Sequence, residues 1–411
     1  MKNPVVPIRI QSIQPTIFFR STEEGFLQKI LIALDADQDL SGITVLIEWD
    51  KNRYQTVIQS VLTGKQKIPI LIPDIQAHTD VHITLIHQGL MIDKIIVKWK
   101  PTRHWEVHLV HGSHHDLGYT DLPSNILKEH QNFLDEVLDI CDATDQWDVN
   151  SQFRYQIEQA WSILYYLQNC SESQSARLIR RIKENRIEVT ALMGNETTEL
   201  CSHEELIRLL YPSFRLRRLH GIDIVSAELN DIPGVAWGLI SVLAGSGIRY
   251  FAPALPDYYG WGRKYRPWWD EKAVLPRDRS GAFWWEGPDQ QKVLVWHEGG
   301  SIGWTSLWSY EQALTDIEQK LSFLTEKEYP YSLLRIKFHS GMRDNSPPDS
   351  RLSLICRQWN EEWAYPRLIV STNRSFFQKF EQMYANALPI LRGDLPNTDY
   401  HIGAYSTARE T

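Results

Sequence analysis

Two side chains set two residues apart offer the clearest chemistry in the chain: His114 and Asp116, in the run Gly112-Ser113-His114-His115-Asp116. They follow a short apolar run, Val107-His108-Leu109-Val110, that reads as a strand. In extended backbone, residues two apart point the same way, so an imidazole and a carboxylate can meet one metal ion. A mixed nitrogen and oxygen donor set suits zinc. The same pair also suits a strand end carrying two solvated polar side chains. A second candidate is Asp231, in Asn230-Asp231-Ile232-Pro233-Gly234. It falls between a strand over 222–226 and a helix that Pro233 can open, so it also fits an N-cap. A third lies in Asp399-Tyr400-His401-Ile402-Gly403-Ala404-Tyr405-Ser406-Thr407-Ala408-Arg409, where a lone histidine would ordinarily decorate a surface.

The elements that must position these groups are legible in outline. Residues 1–100 read as β structure, with runs such as Ile43–Trp49 and Val81–Ile86 separated by turn signals. Ile68-Pro69-Ile70-Leu71-Ile72-Pro73 reads as an edge strand, because proline cannot donate to a ladder. This predicts a small β-sandwich domain, with Pro101 at its boundary. From Trp105 onward strands and helices alternate. Strands are expected at 107–110, 187–192, 222–226, 248–251, 293–296, 333–338 and 368–370. Helices are expected at 124–141, 204–219, 235–244, 312–324 and 351–362. Such alternation predicts an α/β fold with a mostly parallel sheet, and a distorted (β/α) barrel would draw polar groups from many strand ends into one mouth. Asn195 and Glu196 follow the strand at 187–192 and are candidates for that mouth.

Composition narrows the class. Of 411 residues, 43% are hydrophobic and 23% charged, which fits a globular protein with a sizeable core. The net charge of −8 and the absence of a recurring basic block argue against nucleic acid as a partner. No run is apolar for long enough to span a bilayer, and the first ten residues lack a signal peptide's apolar core, so no membrane partner and a cytoplasmic setting are expected. The four cysteines are scattered and imply neither disulfides nor a thiolate metal site. Cys201-Ser202-His203-Glu204-Glu205 reads as a capping box opening a helix rather than as a thiol centre. The 16 tryptophans and 17 tyrosines build a large core or bind sugar rings; the cluster Tyr258, Tyr259, Trp261, Tyr265, Trp268, Trp269, in a loop-like segment, favours sugar. Trp284, Trp285 and Trp296 fit either role.

Together, Gly112–Tyr119, Asn230–Gly234 and His401–Arg409 resemble, in order and interval, three motifs of glycoside hydrolase family 38, the α-mannosidases: His-Ser-His-x-Asp-x-Gly-Trp, Ile-Asp-Pro-Phe-Gly and His-Asp-Ala-x-Ser/Thr-Gly-Thr-x-Arg. The resemblance covers roughly residues 105–411 and implies a distorted (β/α)7-type barrel over 101–390. Residues 391–411 would begin a following helical region, in a chain lacking the family's C-terminal domains. It implies a zinc ion held by His114, Asp116, Asp231 and His401, with Asp231 also the nucleophile of a retaining reaction on a terminal α-mannoside or oligosaccharide. Tyr119 would floor the sugar pocket in place of the family's tryptophan. The acid/base would be Asp344, with Asp349 in reserve, although Asp344-Asn345 also suits a plain turn. Tyr119 and Ile402 depart from the motifs. Two other readings are a non-catalytic carbohydrate-binding protein that keeps the zinc pocket and a zinc hydrolase such as a deacetylase. Homo-oligomerisation is left open.

Overall fold

A computed structural model describes residues 7–118, 120–230, 232, 234–255, 282–296, 298–299, 309–338 and 345–394. The chain divides into two compact units. One comprises Met1–Glu106 with Glu318–Ser322 and Gln358–Arg367; the other comprises Val107–Ile317, Phe323–Arg357 and Leu368–Thr411.

In the first unit seven strands follow one another: β1 (Ile8–Thr22), β2 (Gly25–Ala36), β3 (Leu40–Trp49), β4 (Asn52–Val61), β5 (Gly64–Pro73), β6 (Thr79–His87) and β7 (Leu90–Trp99). They form two sheets, ordered β1-β2-β5 and β4-β3-β6-β7, with every pairing antiparallel. Alternation explains why these segments are strands. Ile30, Ile32 and Leu34 of one sheet and Ile43, Val45, Ile47, Val81, Ile83 and Leu85 of the other all enter one shared core. Each such burial contributes roughly 1.5–3 kcal/mol. Gln88 (φ 50°) and Gly89 (φ 79°) join β6 to β7, both left-handed as a tight hairpin turn requires. As expected of a proline-bearing strand, β5 lies at the edge of its sheet.

The remaining elements alternate: β8 (Glu106–His111), α1 (Pro123–Ala143), β9 (Tyr155–Ile157), α2 (Ala160–Asn169), α3 (Glu172–Lys183), β10 (Ile187–Val189), α4 (His203–Arg208), α5 (Tyr211–His220), β11 (Ser226–Asn230), α6 (Gly238–Gly245) and β12 (Tyr250–Leu255), followed by β13 (Ala282–Glu286), β14 (Lys292–Trp296), β15 (Glu298–Gly299), α7 (Tyr310–Glu326), β16 (Leu333–Phe338), α8 (Arg351–Glu362), β17 (Arg367–Ser371), α9 (Asn373–Tyr384) and β18 (Ile390–Leu391). Pairs β9–β10, β11–β12 and β12–β14 are parallel, whereas β13 runs antiparallel to β14. Backbone contacts link the short sheets edge to edge. Gly112, just past β8, bridges Gln156 of β9 in parallel, and the Ala191 N–H donates to the Ser226 carbonyl. The fold is mixed α/β, with β8, β9, β10, β11, β12 and β14 as successive neighbours. No described helix is long and apolar enough to cross a membrane.

Two expectations move. The strand expected at 222–226 lies instead at Ser226–Asn230. Ile222 and Ile224 are buried core residues but precede the ladder, and the real strand, Ser-Ala-Glu-Leu-Asn, looks too polar to read as one. The helix expected over 204–219 is two helices. Pro212 at the start of α5 lacks the N–H that a continuous helix needs and crowds the preceding turn, so the chain restarts there. The capping box is present: the Glu205 N–H donates to Ser202 Oγ at 3.3 Å, and Glu205 Oε2 accepts from the Ser202 N–H at 2.6 Å. Trp285 and Trp296 are core residues. Trp285 packs beside Phe251 and Phe283, and Trp296 lies edge-on to Phe376 and Phe380.

Candidate active site and metal centre

The site begins where β8 ends. A Cβ at Gly112 would stand 2.9 Å from the Gln156 carbonyl oxygen, so glycine permits the close parallel approach that carries the chain into Ser113–Asp116. There His114 is almost fully buried, and its Nε2 lies 3.0 Å from Asp116 Oδ1. That separation suits two donors sharing one ion with bonds of about 2.0–2.2 Å. His114 Nδ1 is already committed, 3.0 Å from Glu158 Oε1. A metal-binding imidazole commonly gives its other N–H to a carboxylate in this way, which fixes the tautomer that offers Nε2. Burial works against a charged imidazole here, but Glu158 and Asp116 outweigh it and raise the His114 pKa well above the ordinary histidine range.

Glu158 lies just after β9 and before α2. Its Oε1 also accepts from Asn195 Nδ2 at 2.8 Å and from the His115 N–H at 3.2 Å. Its Oε2 accepts from Lys337 Nζ at 2.7 Å. Lys337 reaches Glu228 Oε1 at 3.1 Å, and Arg335 reaches the same oxygen at 3.0 Å. Gln156 donates to the other Glu228 oxygen, and Arg335 Nε donates to Asn373 at 2.7 Å. Arg335 and Lys337 share one face of β16 because they are two residues apart. All four charged groups are buried, so each depends on its partners. Asn195 uses both ends of its amide, since its Oδ1 accepts from the Asn230 N–H at 3.0 Å.

Asn345 also holds the segment bearing His114 and Asp116. Its backbone N–H donates to the His114 carbonyl at 3.0 Å. Its Oδ1 accepts from the Asp116 N–H at 3.2 Å and from His130 Nε2 at 2.9 Å, while its Nδ2 donates to the Asp116 carbonyl and to Thr120. It holds φ 50°, a left-handed conformation that asparagine tolerates. Asp349, the reserve acid, is paired with Arg351 at 2.8 Å. Burial pushes its carboxyl up, but Arg351 prevails and holds it below the ordinary range, the reverse of what a proton donor at neutral pH needs.

Five residues expected in the site, Tyr119, Asp231, Trp261, Asp344 and His401, lie outside the described residues, as does the aromatic cluster around Trp261. Among the described residues no group of three or more His, Cys, Asp or Glu side chains is placed to hold a metal ion. His114 and Asp116 are brought together, and Asn195 stands beside them through Glu158.

Several histidines near this region are buried in the neutral form. Desolvation lowers His108 to about 3 and both His111 and His130 to about 4. The unfolded chain takes these protons near pH 6.5, the folded chain only below those values. Their contribution is therefore complete above pH 6.5 and is lost as pH falls toward 4, by about 3 kcal/mol for His111 alone. His114 runs the other way in the metal-free protein, but it is one group against several. Urea midpoints of metal-free protein should fall steeply from pH 7 to pH 4.5, and His111→Gln should reduce that slope. A midpoint independent of pH would contradict the burial argument.

Residues 104–397 match the family model described as the glycosyl hydrolases family 38 N-terminal domain. The chain belongs to glycosyl hydrolase family 38. Its fold is similar to that of an alpha-mannosidase from Enterococcus faecalis V583, at TM-score 0.56 and 16% identity, over 71% of this chain and 31% of that one. It is similar also to a family 38 protein from Enterococcus faecalis, at TM-score 0.50 and 16% identity, over 71% of this chain and 29% of the other. This family 38 chain thus spans less than a third of the length of either. No curated protein sequence matches it.

Sequence reasoning did not single out Glu158, Glu228, Arg335 or Lys337. For Glu158 a signal existed. It is an acidic residue between a short β run, Tyr155-Gln156-Ile157, and a helix, the placement that drew attention to Asp231. The charges of β16 gave no local sign of pointing inward.

Proposed function

We propose that this chain is the catalytic part of a zinc-dependent retaining α-mannosidase. The observation that supports this best is the convergence of His114 Nε2 and Asp116 Oδ1 within 3.0 Å, in a chain of family 38. His114, Asp116, Asp231 and His401 would hold the ion, a nitrogen and oxygen set suited to zinc. Bound zinc would supply a Lewis-acidic anchor for the 2- and 3-hydroxyls of mannose.

The rest of the work belongs to the chain. Asp231 is the nucleophile that forms a covalent glycosyl ester at carbon 1, and Asp344 protonates the leaving oxygen and later deprotonates water. A retaining pair of this kind stands about 5 Å apart. Tyr119, Trp261 and Asn195 line the sugar pocket, where flat rings match the apolar face of a pyranose. Binding energy from these contacts favours a ring distorted toward the oxocarbenium-like transition state. In this reading the strands of residues 101–390 belong to a distorted (β/α)7-type barrel that follows an N-terminal β-sandwich domain at 1–100.

Metal removal tests the reading. Dialysis against a chelator should abolish release of nitrophenol from an aryl α-mannoside, and added zinc should restore it. Proton NMR of the products should show α-mannose formed first. Full activity in stringently metal-free protein would refute the zinc assignment. Sugar binding without turnover in the zinc-loaded chain would leave it a carbohydrate-binding protein, and release of acetate from acetylated sugars would make it a deacetylase.

A further inference from the structure

We infer that Glu158 is the positioning residue of the metal centre, the group that aims His114 at the ion and ties that aim to three other parts of the fold. The inference rests on the zinc reading above and adds to it a residue that touches neither metal nor sugar.

Glu158 is fully buried, and Lys337 already offers it a counter-charge at 2.7 Å. Charge balance therefore does not require the second carboxylate oxygen to face the loop after β8. It nevertheless receives the imidazole Nδ1–H of His114 at 3.0 Å and the backbone N–H of His115 at 3.2 Å. Those two bonds fix both the ring and the peptide behind it. With Nδ1 protonated, only Nε2 can offer a lone pair, and Nε2 is the atom beside Asp116. Asn195 reaches Glu158 with its amide nitrogen and the Asn230 N–H with its amide oxygen. The same carboxylate thus links the segment bearing His114 and Asp116 to the residue immediately before Asp231. Lys337 anchors it to β16 and, through Glu228, to β11. A buried carboxylate needs donors for both oxygens, and here those donors come from the segment bearing His114 and from Asn195, which itself holds the residue before Asp231.

The test is zinc affinity, measured on the full chain by competition with a chelating dye, alongside thermal melting of the metal-free forms. Wild type should bind one zinc. Glu158→Gln keeps the shape but replaces the anionic acceptor, and should weaken zinc by about 10–100-fold while the metal-free melt stays cooperative. Should that variant fail to fold, Glu158→Asp serves instead. It keeps the charge facing Lys337 and shortens the arm, and should weaken zinc by the same order. Affinity equal to wild type in the folded variant overturns the positioning role alone. A wild-type chain that binds no zinc overturns both this role and the metal reading on which it stands.

Discussion

Asp231→Asn should lower kcat on an aryl α-mannoside by at least about 10⁴-fold, leaving KM within a few-fold. The substitution keeps the side-chain shape and a donor for the metal. In the proposed reaction it removes the carboxylate that would bond to carbon 1, and an amide cannot form and release the glycosyl ester that a retaining reaction passes through. A loss of that size is more than 5 kcal/mol of barrier. The residue before it, Asn230, is the last of β11, with its N–H held by Asn195, so the variant's surroundings need not move. Zinc stoichiometry by metal analysis separates loss of the nucleophile from loss of the ion. Turnover within ten-fold of wild type in a zinc-loaded variant would remove Asp231 from the reaction.

The largest stability effect is expected at Lys337. Replacing it with methionine fills most of its volume but strands two carboxylates, Glu158 at 2.7 Å and Glu228 at 3.1 Å, in a region that water does not reach. Breaking a buried ion pair from one side typically costs 3–5 kcal/mol, because the remaining charge keeps its desolvation penalty and loses its compensation. Arg335 still reaches Glu228, so the greater burden falls on Glu158. Lys337→Met should therefore lower the urea midpoint of unfolding markedly. Glu204→Gln, which breaks the exposed pair with Arg208, should change stability by less than about 1 kcal/mol. A Lys337→Met midpoint equal to wild type would show that these charges are solvated in solution.

Much of this arrangement was legible locally. Strand β16 and helix α8 fall where periodicity places them, and the capping box at Ser202 and Glu205 needs only four residues to be recognised. The meeting of His114 with Asp116 follows from extended backbone, in which alternate side chains share a face. Strand β11 was misplaced because its inward-facing Glu228 makes it look like a loop. The misreading has a physical cause: hydropathy patterns assume that a buried position is apolar, and a buried glutamate with its own lysine and arginine violates that assumption.

What the sequence by itself determined is the family motif order, the alternating α/β plan and the local geometry of the His114–Asp116 pair, since each depends on residues close together in the chain. What only the tertiary structure decided is who holds that pair in place. Lys337 meets Glu158 across 179 residues of chain, and Asn345 meets Asp116 across 229. A glutamate reads the same in sequence whether water or a lysine faces it. Its role was settled by which strands became neighbours, and that choice was made by the packing of the whole unit.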